Sequence, residues 1–218
     1  MKRILFCVTI FLAAFSSCSK KQVKQGSITY NIQYELPDSL KQYALYMPKT
    51  ATVYFKGDSA VSIQQMNDEA TTIITYKPTN FMRVLLRSSS QKFVIDYNKA
   101  DQQEEEPAKL GYSYTKGNKD TIIAGHKAVN YTLVDKATGE TSNVWFTREL
   151  RMVPNSLTMA LDTTYGFPLA FSLMQNGMLT KTTVKSIRFE PVPDGIFSTP
   201  AGYQKITPKE LRDMPVDR

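Results

Sequence analysis

A ten-residue run of alternating apolar and polar side chains restricts this chain to folds built on half-buried strands. Between residues 27 and 36, the apolar positions are Ile28, Tyr30, Ile32, Tyr34 and Leu36, and every residue between them is polar. Successive side chains of a strand point to opposite faces, so a period of two predicts a strand with one buried face. A proline at position 37 ends the run.

Similar short runs with turn residues between them fill most of the remaining chain. We predict further strands at 51–55, 60–66, 71–76, 81–86, 92–97, 121–124, 127–134, 142–146, 167–174 and 178–189. The last two flank Asn176-Gly177, a dipeptide typical of tight hairpins. Strands do not alternate with long helices, so a doubly wound parallel sheet is not expected. A sandwich, a closed barrel and a curved open sheet all remain possible.

A few segments lack the strand pattern. We predict a short helix over 39–47 with Asp38 as its cap, and one or two helical turns over 208–214. Residues 99–109 contain three consecutive glutamates and are predicted to form a solvated loop. A calcium site is not expected there, because calcium ligands are spaced along a loop with a glycine turn, and consecutive glutamates do not have that spacing. Residues 150–162 are ambiguous between a short helix and irregular structure.

The first residues have the pattern of an export signal. Lys2 and Arg3 precede an apolar run from Ile4 to Phe15, which is too short to span a hydrocarbon core that needs about 20 residues. Ser16-Ser17 before Cys18 resembles the bacterial lipobox. That resemblance implies cleavage before Cys18 and lipidation of this cysteine. The alternative is an ordinary secretory signal with a chance cysteine.

These patterns divide the chain into four parts. We predict a signal peptide at 1–17, a lipidated tether at 18–25, one β-rich domain at 26–205 and a polar tail at 206–218. The tether carries Lys20, Lys21 and Lys24, which are suited to anionic headgroups or simply to solubility. We expect a cell-envelope protein held on a membrane by its lipid anchor, in the outer membrane and facing the periplasm.

Composition argues against several kinds of chemistry. The chain has one histidine, His126, and two cysteines, of which Cys7 lies in the signal. A zinc site of about four histidine and cysteine ligands is therefore excluded. No G-x-S-x-G, P-loop or G-x-G-x-x-G motif occurs. We expect no cofactor, no metal and no enzymatic activity, with His126 in a turn.

In an exported protein, an excess of basic residues does not indicate nucleic acid binding. The formal charge is +7, from 27 basic and 20 acidic residues that are dispersed along the chain. We expect no nucleic acid partner, and anionic lipid or glycolipid is the acidic partner that an envelope offers. We also expect a monomer.

A series of motifs in a fixed order resembles a domain family of unknown function in envelope lipoproteins of Bacteroidota-type bacteria. The motifs, which extend over residues 26–205, are Gly26-Ser27-Ile28-Thr29-Tyr30, Met47-Pro48, Val53-Tyr54-Phe55-Lys56-Gly57-Asp58, Ile123-Ala124-Gly125-His126, Val144-Trp145-Phe146-Thr147, Gly166-Phe167-Pro168-Leu169, Val192-Pro193-Asp194-Gly195 and Pro200-Ala201-Gly202-Tyr203. That family is similar to the lipoprotein-carrier group (LolA/LolB-like). The resemblance implies a mainly β (α+β) fold, with a curved antiparallel sheet as an incomplete half-barrel and short helices as a lid.

The same resemblance implies a concave apolar cavity and two candidate functions. The first is binding of a lipid, acyl chain or lipoprotein tail. We assign its lining by strand membership to Val53, Phe55, Phe81, Leu85, Val144, Phe146, Phe171 and Leu173. The alternative is a non-enzymatic structural or protein-interaction lipoprotein, whose concave face is filled by its own side chains.

Overall fold

A computed structural model describes residues 25–105, 111–175 and 178–214. The predicted signal peptide, Cys18 and nearly all of the tether lie outside the described residues. Within them, twelve strands form one sheet, and every contact described below is made without residues 1–24. The chain is mainly β, and its single curved sheet is not closed into a barrel, so the predicted fold class is confirmed.

The predicted strands are present in the predicted order, and β12 is an additional strand. The strands are β1 (Gln25–Glu35), β2 (Thr50–Lys56), β3 (Ser59–Met66), β4 (Glu69–Tyr76), β5 (Phe81–Arg87), β6 (Lys92–Tyr97), β7 (Tyr112–Ile123), β8 (His126–Asp135), β9 (Thr141–Thr147), β10 (Phe167–Gln175), β11 (Met178–Arg188) and β12 (Gln204–Ile206). The α-helices are α1 (Lys99–Glu105) and α2 (Pro208–Asp213), and 3-10 helices span Asp38–Tyr46, Lys77–Thr79 and Thr163–Tyr165.

Strand order explains why the sheet is open. It runs β12-β6-β5-β4-β3-β2-β1-β11-β10-β9-β8-β7, so β1 lies in the middle and pairs with β2 and β11. The neighbours pair antiparallel except β12, which adds to β6 in parallel. This parallel pair differs from the purely antiparallel prediction, and it arises because the chain crosses back over the sheet after β11 before it forms β12.

Three local predictions were wrong. The predicted loop at 99–109 begins as helix α1, because the Asn98 side chain accepts hydrogen bonds from the backbone of Ala100 and Asp101 and caps it; residues 106–109 lie outside the described part. Strand β7 begins at Tyr112 rather than near 121. Asp38 is the first residue of its 3-10 helix and makes no capping hydrogen bond.

Strand parity sorts the apolar residues into clusters on the two faces of the sheet. The first face carries the largest cluster, centred on β1, β2 and β8–β11, and a small one at β5, β6 and β12. The second face carries a third cluster on β3–β6. Neighbouring positions such as Ala60 and Val61 therefore belong to different clusters, so parts of this sheet are covered on both sides.

The segment between β9 and β10 covers the largest cluster. Leu150 and Leu161 are buried in that cluster, and Met152, Val153 and Leu157 pack against it. A buried polar contact fixes this covering segment (residues 148–166): Asn155 Nδ2 donates to the hydroxyl oxygen of Tyr30, at 3.2 Å. Asn155 also accepts from the backbone of Leu157, which holds its amide in place.

Two further segments cover the other clusters. Ile196, Phe197 and Tyr203, from the crossover between β11 and β12, pack against the cluster on the second face. Leu211 of α2 packs against Ile206 and its neighbours on the first face. The expected domain end at residue 205 thus falls inside β12, and packed residues continue to Met214.

Loss of the Tyr30 hydroxyl tests the role of the buried contact. Tyr30 is fully buried, and burial raises the pKa of its hydroxyl well above the ordinary range. We expect Tyr30→Phe to leave the Asn155 amide without its acceptor and to lower the free energy of unfolding by about 1–3 kcal/mol. Urea unfolding measures this. The control Tyr43→Phe, at a half-exposed position, should change stability by less than about 0.5 kcal/mol; equal losses would contradict the account.

An ion pair on the second face gives the stability a predictable pH dependence. Arg83 donates two hydrogen bonds to Asp96, at 2.5 and 3.0 Å, and Lys205 of β12 lies 3.0 Å from the same carboxylate. The hydrogen bond from Arg83 lowers the pKa of Asp96, with help from Lys205 and against a smaller effect of burial. A lowered pKa contributes stability above the ordinary value near 4, which is lost as the pH falls through the folded value.

We therefore expect Asp96→Asn to lower the free energy of unfolding by about 1.5–3 kcal/mol at pH 7. The difference from the parent chain should shrink as the pH falls below about 4, because the parent then loses the same charge. Urea unfolding at pH 7 and at pH 3 measures it. Asp68→Asn, in an exposed turn, is the matched control; a pH-independent deficit in Asp96→Asn would contradict the assignment.

Candidate functional site

Most of the residues predicted to line a cavity are interior residues of the largest cluster. They are Val53, Phe55, Val144, Phe146, Phe171 and Leu173, and none is more than 6% exposed. The covering segment packs against this cluster, so these side chains contact protein atoms. Of the six, Phe146 alone also borders one of the two cavities described below.

The other two predicted residues lie on the opposite face. Val53 pairs with Ser62, whereas Leu85 belongs to the cluster formed with Val61 on the second face. Phe81 shares the parity of Leu85 and lies 5.4 Å from the guanidinium of Arg83. The eight residues therefore do not form one surface, because strand membership without register does not determine which face a side chain occupies.

A cavity of about 510 Å³ lies where the covering segment leaves and rejoins the sheet. The β2–β3 turn contributes Gly57 and Asp58, and the turn after β4 contributes Lys77. The two ends of the covering segment contribute the rest, namely Arg148, Leu150, Arg151, Met152, Val153, Thr163, Thr164, Gly166 and Phe167. Three cationic side chains thus share the lining with four apolar ones, Leu150, Met152, Val153 and Phe167, and Asp58 is the one carboxylate among these residues.

A second cavity of about 340 Å³ adjoins the first at Arg148. Its apolar side is aromatic: Tyr131 contacts Phe146 edge to face at 5.5 Å, and Tyr165 packs against both. Tyr114 stacks on Tyr165 at 4.6 Å. The polar side consists of Lys116, Lys127, Arg148 and Glu149. We refer to the two cavities together as the Arg148 cleft.

Several cations of the cleft are available to a ligand. Lys127 pairs with Asp120 at 2.9 Å, and this contact raises the pKa of the lysine. Lys77, Lys116, Arg148 and Arg151 are exposed, and none of them forms an ion pair with any residue in the described ranges. Such guanidinium and ammonium groups are suited to an anionic group at the mouth of the cleft.

The glycine before β10 allows the covering segment to come this close to the sheet. Gly166 has φ 133°, and a Cβ at this position would lie 2.4 Å from the carbonyl oxygen of Thr147. This backbone bend ends the 3-10 helix Thr163–Tyr165 and leads into β10. The bend places Tyr165 against Tyr131 and Phe146, and Phe167 in the lining of the larger cavity.

Sequence reasoning did not find the cations of this cleft. Lys77, Arg148 and Arg151 come from two separate turns and are brought together only by the tertiary fold. The one local signal is the pair Arg148 and Arg151, three residues apart directly after an apolar strand.

The single histidine lies next to the cleft. His126 Nδ1 is 3.0 Å from Glu149 Oε2, so the pair joins the start of β8 to the covering segment. In the ranges 25–105, 111–175 and 178–214, no three histidine, cysteine, aspartate or glutamate side chains are grouped as metal ligands. No helix in the same ranges is both long and apolar enough to cross a bilayer.

Comparison with known proteins gives a likeness of fold. No protein-family model matches the chain, and no curated protein matches it. Among solved structures, PNGF-II in a C2 crystal form is similar with a TM-score of 0.51 at 12% identity. The match covers 86% of this chain and 31% of PNGF-II, so the chain spans about a third of that protein. LprF from Mycobacterium bovis has a TM-score of 0.34 at 10% identity, over 78% of this chain and 89% of LprF.

Proposed function

We propose that this chain is a membrane-anchored envelope lipoprotein that binds an anionic amphiphile, such as a lipid or a fatty acid, in the Arg148 cleft. The observation that carries the proposal is that one cleft combines cations that form no ion pair with described residues and a lining of apolar and aromatic side chains. The proposal keeps the ligand class expected from the sequence. It moves the site from the interior cluster to the edge of the covering segment.

The size and chemistry of the cleft fit such a ligand. Ligand sites commonly occupy about 300–1,000 Å³ and combine apolar walls with a few polar groups. Arg148 borders both cavities, so an anion held there leaves apolar surface on either side for a chain or ring. Burial of that apolar part stabilises the complex by about 25 cal/mol per Å².

Binding of a dansyl-labelled fatty acid and its methyl ester tests the proposal. We expect the acid to bind, and the Arg148→Gln, Arg151→Gln double variant to weaken its affinity by about tenfold or more through loss of charged hydrogen bonds. The ester should lose far less in the same variant. Fluorescence titration of the chain beginning at Ser19, which retains all described residues, measures both affinities.

Two further variants separate charge from burial. Tyr165→Ala should weaken the acid and the ester alike, because it removes apolar wall and no charge. Lys92→Gln, exposed at the start of β6 at the other end of the strands, should change neither. No uptake of either probe, or equal losses for acid and ester in the arginine variant, would contradict the proposal.

A second candidate function has its own observation in its favour. The 3-10 helix Asp38–Tyr46 has no buried residue, and Leu45 and Tyr46 are 76% and 73% exposed. With three residues per turn, Leu40, Tyr43 and Tyr46 follow one line along its surface. Exposed apolar residues of this kind are typical of protein-interaction sites, and the filled interior of the domain is consistent with a protein-interaction lipoprotein.

Site-specific crosslinking distinguishes this second function. A photoreactive residue at Tyr43 in the full-length anchored protein should yield one discrete crosslinked species in its own envelope, and Leu45→Ser with Tyr46→Ser should abolish it. The control position is Asn67 in the β3–β4 turn, at the same end of the strands. Equal crosslinking from both positions would contradict a specific contact.

A further inference from the structure

One end of the sheet combines the entry of the chain with exposed cations and aromatic rings. Strand β1 begins at Gln25, which pairs with Lys56 at the end of β2. Ser27, two residues on, pairs with Arg188 at the end of β11. Across β3, Lys56 pairs with Ser59 and Ser59 with Tyr76, which places Lys77 at the same end. We name Lys56, Tyr76, Arg188 and Phe189 the tether-side rim.

Exposed cations cluster at this end, around the start of β1. Lys56 and Arg188 are exposed, and neither forms an ion pair within the described residues. The cations of the Arg148 cleft lie beside them, because that cleft includes the β2–β3 turn. Carboxylates at this end include Asp58 and Glu190, which accepts a 3.5 Å hydrogen bond from Ser27. Three others form ion pairs: Glu149 with His126, Asp120 with Lys127, and Glu104 of α1 with Arg212. Asp101 and Asp162 accept hydrogen bonds from backbone N–H groups.

The opposite end is balanced by comparison. Lys41 pairs with Asp38 at 2.6 Å, and Lys181 pairs with Glu35. The cations there without an ion pair to any described residue are matched in number by carboxylates of the same end. The cations are Lys49, Arg87, Lys92 and Lys136, and the carboxylates are Asp68, Glu69, Asp135 and Glu140.

Two exposed aromatic residues complete the rim. Tyr76 is 42% exposed and Phe189 is 46% exposed. The ring of Phe189 rests edge to face on Phe55, with centroids 6.2 Å apart, so it is held at the surface. Aromatic rings next to cations are characteristic of surfaces that lie at the boundary between headgroups and acyl chains.

We infer that the tether-side rim docks directly on an anionic lipid bilayer. This inference rests on the proposed function in one respect, the anchor at Cys18. From that residue to Gln25 the chain reaches about 25 Å at most, whereas β1 is about 33 Å long. An inverted body, with the Asp38–Tyr46 end on the anchor membrane, is therefore out of reach. Each rim cation near an anionic surface adds to the attraction.

Co-sedimentation with vesicles tests the docking surface. The chain beginning at Ser19, without lipid, is mixed with two kinds of vesicle. One contains phosphatidylcholine alone, and the other contains about 30% phosphatidylglycerol, which gives its surface a negative charge. We expect binding only to the anionic vesicles and release as NaCl is raised. Lys56→Glu with Arg188→Glu should lower the bound fraction at least about fivefold, and Phe189→Ser should lower it as well.

A matched charge change at the opposite end is the control. Lys49→Glu with Lys92→Glu alters the net charge equally and should leave vesicle binding within about twofold of the parent. Equal loss in both double variants, binding to neutral vesicles, or no binding by the parent chain would overturn the inference. The milder pair Lys56→Gln with Arg188→Gln gives the same test if the glutamate variant does not fold.

Membrane docking by the tether-side rim and ligand binding in the Arg148 cleft can be tested independently. Lys56, Arg188 and Phe189 do not border the Arg148 cleft, so their variants should take up the dansyl-labelled fatty acid normally. Normal probe uptake without vesicle binding overturns the docking surface alone. If only Arg148→Gln with Arg151→Gln abolishes vesicle binding, lipid is being held in the cleft, and the rim is not the docking surface.

Discussion

The hydrogen bond between Asn155 and Tyr30 is the contact on which the rest of the architecture depends. It joins the middle strand of the sheet to the middle of the covering segment, inside a cluster that water does not reach. A polar group buried there without a partner would cost about 1–3 kcal/mol, so the segment has one favourable position over the sheet. The largest cluster is consequently filled by the chain itself.

A covering segment fixed at its centre leaves space at its two ends. It departs from the sheet at Arg148 and returns at Phe167, and the larger cavity lies between these points and the β2–β3 turn. Gly166 allows the backbone to pass close to Thr147 at the return. Both the cleft and its cations are thus consequences of how the segment is attached, and the strands alone would not create them.

The sequence predicted the strands well where burial follows a simple period. β1 alternates over its whole length because one of its faces packs into the largest cluster. β7 was mostly missed because it is an edge strand with few buried positions and an irregular register between Lys116 and Asp120. β12 is three residues long and is defined by its pairing with β6 rather than by its own pattern.

Faces and sites were less predictable than strands. Where both faces of a sheet are covered, as at Val84 and Leu85, alternation of polarity no longer tells one face from the other. Lys77 and Arg148 lie far apart in the chain and meet only in the folded protein. The ligand class expected from the sequence is retained in the proposal, but its location could come only from the tertiary structure.

Native mass spectrometry on the chain beginning at Ser19, expressed in a bacterial periplasm, determines whether the Arg148 cleft holds an anionic amphiphile. We expect one anionic amphiphile per protein molecule, recovered by solvent extraction and lost in the Arg148→Gln, Arg151→Gln double variant. A ligand-free mass for the parent chain, with no uptake of added anionic lipid, would contradict it.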